Sequence, residues 1–364
     1  MSKKPDYILL ITTAVLVFFG LIMIASAGIV LSHENFNQPY FYLKSQLTKG
    51  LGVGVLLAFC FYFLPLKIIK KFAFPAFLAN LLLLVLIFFP GIGLQAGGAR
   101  RWLDLGVVAF QPTEVLKLTI ILYLAAWFEK KGEAVKDLKE GFLPFLLLLS
   151  IPGVLIAAQP DIGTLGIIVF ISILIFFAAG ARISHLATLG GIGAGVLLLA
   201  ANFLPHVANR LKTFIDPSTD PQGIGYQIKQ AVIAIGSGGI FGVGLSQSLQ
   251  KYKYLPEPVG DSIMAIIGEE FGFLGLIFLL VLFGIFAYRG LKIAKGAPDK
   301  FTQLTAIGIT GWIVLQAGLN ISAICGLAPL TGMPLPFISY GSTSLAFSLA
   351  GVGLLLNISK QAKI

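Results

Sequence analysis

The sequence predicts an all-α polytopic membrane protein with ten transmembrane helices, and two observations carry that prediction. Of its 364 residues, 57% are hydrophobic and only 12% are charged, with a mean hydropathy of +0.92, which is far from a soluble domain. Apolar runs of roughly 17–25 residues recur, each long enough to cross a hydrocarbon core of about 30 Å as a helix. Because a bilayer offers the backbone no water, and continuous apolar runs exclude a barrel, the spans are predicted to be helical.

The spans follow these runs in chain order, and the fourth and fifth are short. The first resembles a signal peptide, but its apolar run exceeds the roughly 7–15 residues of a signal sequence, which favours a retained helix. The whole chain, 1–364, is predicted to form a single integral membrane domain. The predicted spans are 7–31, 46–66, 72–90, 113–128, 142–158, 163–180, 186–204, 262–288, 303–324 and 341–357.

Basic residues assign an orientation to these helices. An even number of spans puts both termini on one side, and most Lys and Arg residues of the short loops fall on that side. Because such loops stay in the cytoplasm, both termini are predicted to be cytoplasmic. The large loop 205–261, between helices 7 and 8, is then extracellular. The net charge of +10 is interpreted as anchoring to anionic lipid, not as a nucleic-acid-binding surface.

The large loop has features of its own. Residues 227–235 are predicted to form a short amphipathic helix. The glycine-rich run 236–244 is expected to be either a flexible turn or a close helix contact. Elsewhere, two cysteines and three scattered histidines indicate neither a disulfide framework nor a zinc site. Neither a nucleotide nor an organic cofactor is expected.

The segment before the eighth span is the most informative one for function. Asp261 stands where a polar loop becomes a membrane helix, and Glu269 and Glu270 follow about two turns deeper. A charge inside hydrocarbon costs roughly 3 kcal/mol or more, so such acids usually serve a substrate, an ion or a proton. Asp261 lies at the water boundary without a basic neighbour in sequence, which favours a functional role. Glu269 and Glu270 are expected to be structural, either paired or protonated.

Other charged residues cluster at the predicted outer ends of the spans, namely Arg101, Glu114, Lys117, Asp161 and Arg210. Four of them have a plain structural explanation: an interfacial anchor for Arg101, a helix-face pair for Glu114 and Lys117, and a helix cap for Asp161. The convergence of cations and acids on one face of the membrane nevertheless favours a functional site.

Six motifs occur in order with the ten spans: GARRW (98–102), QPTE (111–114), QPDIGT (159–164), GYQ (225–227), YLPE (254–257) and PFISYG (336–341). Over essentially its whole length the sequence resembles the SEDS (shape, elongation, division and sporulation) family, the FtsW/RodA/SpoVE group, and division-type FtsW members in particular. The resemblance implies a multi-pass protein of the bacterial cytoplasmic (inner) membrane. The family's essential aspartate matches Asp261.

The resemblance also implies an activity and partners. Members of the family are peptidoglycan glycosyltransferases that polymerise lipid II into β-1,4-linked glycan strands on the outer face of the membrane, for division or cell-shape wall synthesis. The implied partners are a class B penicillin-binding protein transpeptidase and other divisome or elongasome membrane proteins. No nucleic acid is implied.

The expected chemistry uses one base and several cations. Asp261 is expected to activate an acceptor hydroxyl as general base, and is also a possible metal ligand. A pyrophosphate held by cations leaves without being protonated, so one carboxylate suffices. Mg²⁺ or Mn²⁺ is the expected cofactor. The expected substrate-binding residues are Arg101, Lys117 and Arg210 at the pyrophosphate, Glu114 orienting Lys117, and Asp161 and Glu257 completing the cavity.

Two other functions fit parts of the sequence. A lipid II flippase or other transporter would suit ten spans with intramembrane acids, but it predicts interrupted helices in two related repeats. A non-catalytic scaffold of the wall-synthesis complex would tolerate the loss of Asp261. The sequence shows no repeat, and most ionisable groups lie at the outer ends of the spans, which favours the polymerase.

Overall fold

The computed structural model of the chain describes residues 4–89, 91–96, 99–104 and 109–363. The described chain is mostly helical. Two π-helical turns, Gln46–Gly52 and Leu138–Phe142, directly precede the helices Val53–Phe63 and Leu143–Ala157 and lengthen them. The helices are α1 (Tyr7–Ala27), α2 (Ile29–Phe36), α3 (Phe41–Ser45), α4 (Val53–Phe63), α5 (Leu66–Leu86), α6 (Pro112–Lys131), α7 (Leu143–Ala157), α8 (Ile162–Ala179), α9 (Ile183–Phe203), α10 (Pro205–Ile215), α11 (Ile224–Ser237), α12 (Ile263–Gly296), α13 (Lys300–Ile324) and α14 (Ser342–Ser359).

Nine helical segments of the described chain are long and apolar enough to cross a membrane, and they coincide with every predicted span except the fourth. The fourth prediction falls in α6, which has 20 residues but carries Glu114 and Lys117 near its start. Most of α6 is buried, packed against α5, α8 and α13. The count of ten spans therefore stays a prediction.

A small antiparallel sheet between α5 and α6 departs from the all-α prediction. Its strands are β1 (Gly93–Ala96), β2 (Ala99–Asp104) and β3 (Ala109–Phe110), paired in the order β1-β2-β3. Strands this short carry too little alternation to be recognised between two long apolar runs. The sheet places Trp102 on the wall of a cavity and buries the side chain of Leu103.

The helices form one bundle whose surface suits lipid. The side chains of α14 are almost all buried, whereas large apolar side chains such as Phe59, Leu147 and Leu198 are exposed on the periphery. Both ends of the described chain meet at the same end of the bundle, where the Asp6 N–H donates to Ser359 Oγ at 3.0 Å. A multi-pass membrane protein accounts for this arrangement.

The large loop is ordered by its contact with α12. The predicted amphipathic helix 227–235 is confirmed, because it lies within α11. The glycine-rich run is a close contact: a Cβ placed on Gly242 would lie 2.2 Å from the Glu270 carbonyl oxygen. Only residues without a side chain permit that approach.

α12 is interrupted at Gly272, whose φ of 65° and ψ of −163° are not helical. The predicted span 262–288 is thus longer than expected and broken. Backbone groups freed inside a membrane must find partners within the protein, and here the preceding loop supplies them. The hydrogen bonds run from Val243 N to Glu269 O, Gly244 N to Glu270 O, Phe273 N to Gly239 O and Leu274 N to Ile240 O, at 2.9–3.1 Å.

Gly272→Ala is expected to destabilise the protein, whereas Gly284→Ala in the same helix is not. At Gly272 the positive φ costs roughly 1–3 kcal/mol for a residue with a side chain. A Cβ there would also lie 2.4 Å from the Gly242 nitrogen, while the space around Gly284 is open. Thermal unfolding of both variants in detergent checks this, and equal melting temperatures would contradict the account of the break.

Candidate active site

A polar cavity of about 340 Å³ lies at the end of the bundle away from the chain termini. It is bounded by β2, by the starts of α6, α8, α12 and α14, and by the segment that follows α13. Five of the seven predicted site residues line it, namely Arg101, Glu114, Asp161, Glu257 and Asp261. A larger cavity of about 610 Å³ between α1, α4 and α14 is almost wholly apolar, so it offers little acid–base chemistry.

Asp261 stands two residues before α12, and its side chain is half-buried. Its Oδ1 accepts hydrogen bonds from Gln227 Nε2 at 3.2 Å and from Ser262 Oγ at 3.5 Å. Burial, and then the charge of Glu257, raise the pKa of Asp261 to about 6, against the lowering effect of its hydrogen bonds. A carboxyl group with that pKa is ionised at neutral pH yet remains a competent proton acceptor.

Arg210 approaches Asp261 from α10. Its Nη1 donates to the Thr331 carbonyl at 3.4 Å. Gly332 lies between the two charges, because a Cβ placed on it would be 4.0 Å from both Arg210 Nη2 and Asp261 Oδ2. Burial, followed by the charge of Arg101, lowers the pKa of Arg210, and the two aspartates at 161 and 261 oppose that shift. An arginine remains a cation at neutral pH in such surroundings.

Arg101 and Asp161 also line the cavity. Arg101 donates to the carbonyls of Gln159 and Pro160, which directly precede α8. Asp161 caps α8 by accepting from the Thr164 N–H at 3.4 Å, so the helix-cap explanation is confirmed. Its other oxygen accepts from Gln111 Nε2 at 3.3 Å, and Asp161 lines the cavity. A structural role for Asp161 and a place in the site are therefore compatible.

Glu114 and Lys117 form the predicted pair on α6, with Lys117 Nζ 2.7 Å from Glu114 Oε1. The ammonium also donates to Gln316 Oε1 at 2.9 Å and lies over the ring of Trp312. Lys117 is only 1% exposed and does not line the cavity, whereas Glu114 does. Glu114 Oε2 has no hydrogen-bond partner in the described chain, so one carboxylate oxygen is free. A direct contact of Lys117 with pyrophosphate stays a prediction.

Glu269 and Glu270 have the structural role that was expected. Lys251 Nζ lies 3.2 Å from Glu270 Oε1, and Ser26 Oγ donates to the same oxygen at 2.6 Å. Glu269 accepts from Ser248 and from the Leu249 N–H. All three charged side chains are buried outside the cavity, so the acids are paired with the loop that leads to Asp261.

Two amide side chains that contact Asp261 were given no role in the sequence analysis. Gln227 belongs to the GYQ motif and binds the carboxylate, while Asn320 on α13 binds the Asp261 carbonyl at 2.9 Å. A polar residue in an apolar span was the available signal for Asn320. Gly98, which begins the first motif, lies outside the described residues. No group of three or more His, Cys, Asp or Glu side chains suited to a metal occurs in the described chain.

The chain is similar to known proteins over nearly its full length. It is 39% identical to stage V sporulation protein E of Bacillus subtilis (strain 168), over 100% of this chain and 99% of that protein. It is 38% identical to the "Probable peptidoglycan glycosyltransferase FtsW" of Trichlorobacter lovleyi, over 99% of this chain and 94% of that protein.

Solved structures agree with these relatives. A chain of a peptidoglycan synthase complex superposes with a TM-score of 0.81 at 29% identity, covering 99% of this chain and 98% of that one. The rod shape determining protein RodA of Thermus thermophilus gives a TM-score of 0.71 at 27% identity, with 99% and 98% covered. The family model described as "Cell cycle protein" matches residues 7–364. The chain therefore belongs to the FtsW/RodA/SpoVE family.

Proposed function

We propose that the protein is a peptidoglycan glycosyltransferase that polymerises lipid II into β-1,4-linked glycan strands for division or cell-shape wall synthesis. The observation that carries the proposal is the cavity lined by Arg101 and by Asp261, whose pKa is raised, with Arg210 close to Asp261 on the other side of Gly332. The name of the Trichlorobacter relative and the likeness to a chain of a peptidoglycan synthase complex support the same function.

In the proposed reaction, Asp261 takes the proton of an acceptor C4 hydroxyl while the oxygen of that hydroxyl attacks C1 of the donor sugar. The bond between C1 and the pyrophosphate oxygen breaks, and its electron pair leaves with the pyrophosphate. Direct attack from the opposite face inverts the α linkage of the donor to the β linkage of the glycan. The leaving group needs no proton when cations hold its charge, so a single base is sufficient.

The remaining residues divide into direct and indirect roles. Arg101 and Arg210 are placed to hold the pyrophosphate, because both are cations beside the cavity. Lys117 acts through Glu114, which pairs with it and lines the cavity. A divalent cation would be held by the phosphates of the substrate together with a carboxylate of the cavity, as Mg²⁺ usually is. Such an ion would supply further charge neutralisation at the pyrophosphate.

The membrane arrangement belongs to the same proposal. In this proposal α6, the fourth span in chain order, completes the set of ten, because it has spanning length and is buried among other spans. An even number of spans agrees with the meeting of the two chain ends. Basic loops at that end support a cytoplasmic location for the termini. In this proposal the cavity and the large loop 205–261 face outward, and the chain forms one integral membrane domain. A class B penicillin-binding protein is the proposed partner, with other divisome or elongasome proteins.

The interrupted helix favours a second candidate, a lipid II flippase, because broken helices with acids are typical of transporters. Against it, the loop before α12 fills the break and Lys251 pairs with Glu270. A purified chain, with and without a class B partner, is to be incubated with labelled lipid II and Mn²⁺ or Mg²⁺. Glycan ladders are expected. Translocation of lipid II in vesicles without any ladder would favour the flippase. The absence of both ladders and translocation would favour a scaffold.

The polymerisation rate is expected to fall as the pH drops below about 6, because the raised pKa of Asp261 leaves its carboxyl protonated there and unable to accept a proton. Glu257→Gln removes a like charge, lowers the pKa of Asp261 and moves this limb to lower pH. Rate–pH profiles of both proteins check this. Glu34→Gln, at an acid paired with Lys253, is the control and should leave the limb in place. A limb that Glu257→Gln leaves unmoved would contradict the assignment.

A further inference from the structure

A buried asparagine near the outer end of α13 holds two separate segments of the site. Asn320 is only 2% exposed. Its Nδ2 donates to the Asp261 carbonyl at 2.9 Å and to the Met333 carbonyl at 2.8 Å. Because both partners are carbonyl oxygens, they require the two hydrogens of one amide nitrogen, which fixes the orientation of the side chain. Its Oδ1 has no hydrogen-bond partner in the described chain.

The two carbonyls belong to two separate segments that line the cavity. Asp261 lies in the segment that precedes α12, and Met333 in the segment that follows α13. The second segment also binds Arg210, whose guanidinium donates to the Thr331 carbonyl. A single amide therefore connects the peptide of the proposed base to the segment that binds the proposed pyrophosphate cation.

The separation of the acid and the arginine depends on this connection. Gly332 is adjacent to Met333 and two residues from Pro334. A Cβ placed on Gly332 would lie 4.0 Å from both Arg210 Nη2 and Asp261 Oδ2. Gln316, one turn before Asn320, supports the same segment by donating to the Pro334 carbonyl at 2.8 Å. If Asn320 lost its donors, the two carbonyls would lose this hydrogen-bond partner and the two segments would be free to shift relative to each other.

We propose that Asn320 is a positioning residue that sets the distance between Asp261 and Arg210. It touches neither the reacting hydroxyl nor the pyrophosphate, and it acts through the two carbonyls that it binds. This role rests on the proposed glycosyltransferase function. A positioning residue affects the turnover of folded enzyme, whereas a residue that only stabilises the bundle affects the amount of folded enzyme.

The chain contains a matched control. Asn357 on α14 is 4% exposed, and its Nδ2 likewise donates to two carbonyls, those of Phe61 and Leu64, each at 2.8 Å. It lies 13 residues beyond the cavity-lining Ser344 on α14, about 20 Å away along the helix. Leucine or aspartate at either position removes the same two donated hydrogen bonds from a similarly buried site.

The test compares Asn320→Leu and Asn320→Asp with Asn357→Leu and Asn357→Asp, each purified with the class B partner and assayed on labelled lipid II. Thermal unfolding is expected to show similar losses of stability at both positions. The kcat per folded molecule of the Asn320 variants is expected to fall roughly 10- to 100-fold, with KM unchanged, because a displacement near 1 Å costs that much. The Asn357 variants should keep the kcat of the wild-type protein.

Three outcomes would overturn the proposal. One is an Asn320 variant with wild-type kcat, and another is an equal loss of kcat in the Asn357 variants. Should Asn320→Leu fail to fold, it is replaced by Asn320→Ser, which retains one hydroxyl donor and should give a smaller loss in kcat.

The third outcome is a wild-type protein that makes no glycan with any partner, and this outcome refutes the proposed function itself. In the first two outcomes the wild-type protein still polymerises lipid II.

Discussion

Asp261→Asn is expected to reduce the rate of lipid II polymerisation by roughly 10²–10⁴-fold, the usual contribution of a general base. Asparagine has the same shape and still accepts the hydrogen bond from Gln227, but its amide cannot take the proton of the acceptor hydroxyl. The variant should fold normally, because the raised pKa of Asp261 means that its charge opposes folding at neutral pH. Glycan ladders and thermal unfolding measured on the same preparation check both statements.

Asp216→Asn provides the control for this experiment. Asp216 lies in the same large loop and accepts hydrogen bonds from Ser218, but it does not line the cavity. Its replacement should leave the polymerisation rate unchanged. An Asp261→Asn protein that is folded and polymerises lipid II at the normal rate would refute the assignment of the base. A loss of activity in both variants would indicate a general disturbance of the loop.

Lys251→Met is expected to lower the free energy of unfolding by about 3–5 kcal/mol, since it leaves a buried carboxylate without its cation. Glu270 is 1% exposed and Lys251 is 2% exposed, so water cannot replace the lost partner. The double variant Lys251→Met/Glu270→Gln removes both charges and should recover most of that loss, because glutamine can still accept the hydrogen bond from Ser26. Unfolding titrations of the single and double variants measure the coupling.

Lys136→Met is the matched control for the buried pair. Lys136 pairs with Glu133 on the protein surface, where solvent screens the interaction. Its loss should not change the stability measurably. A Lys251→Met protein as stable as the wild type would show that the buried pair does not hold the loop to α12. A double variant no more stable than the single one would show that packing, and not charge, is responsible.

Local pattern was sufficient for several parts of the site. The pairing of Glu114 with Lys117 follows from a spacing of three residues on one helix. The cap at Asp161 follows from its position directly before an apolar run. The prediction that Asp261 is functional follows from the cost of placing a carboxylate at the membrane boundary. In each case the relevant neighbours are close in sequence or the environment is set by composition.

Contacts between distant segments were beyond the same reasoning. Asn320 and Asp261 are 59 residues apart, and nothing in either local pattern relates them. The break at Gly272 depends on backbone partners supplied by a loop some thirty residues earlier in the chain. The fourth predicted span, 113–128, lies within α6, but the charges of Glu114 and Lys117 set this helix apart from the nine apolar ones of the described chain, so its crossing of the membrane stays a prediction.

The sequence by itself determined the membrane class, nearly all of the spans and the residues that carry charge, because long apolar runs and the cost of buried charge are properties of local composition. Only the tertiary structure decided which of those charges share a cavity. In the structure Asp261, Arg101 and Asp161 line one cavity, whereas Lys117 pairs with Glu114 and does not line it. The physical reason is that packing between distant helices fixes these distances, and spacing along the chain does not report that packing.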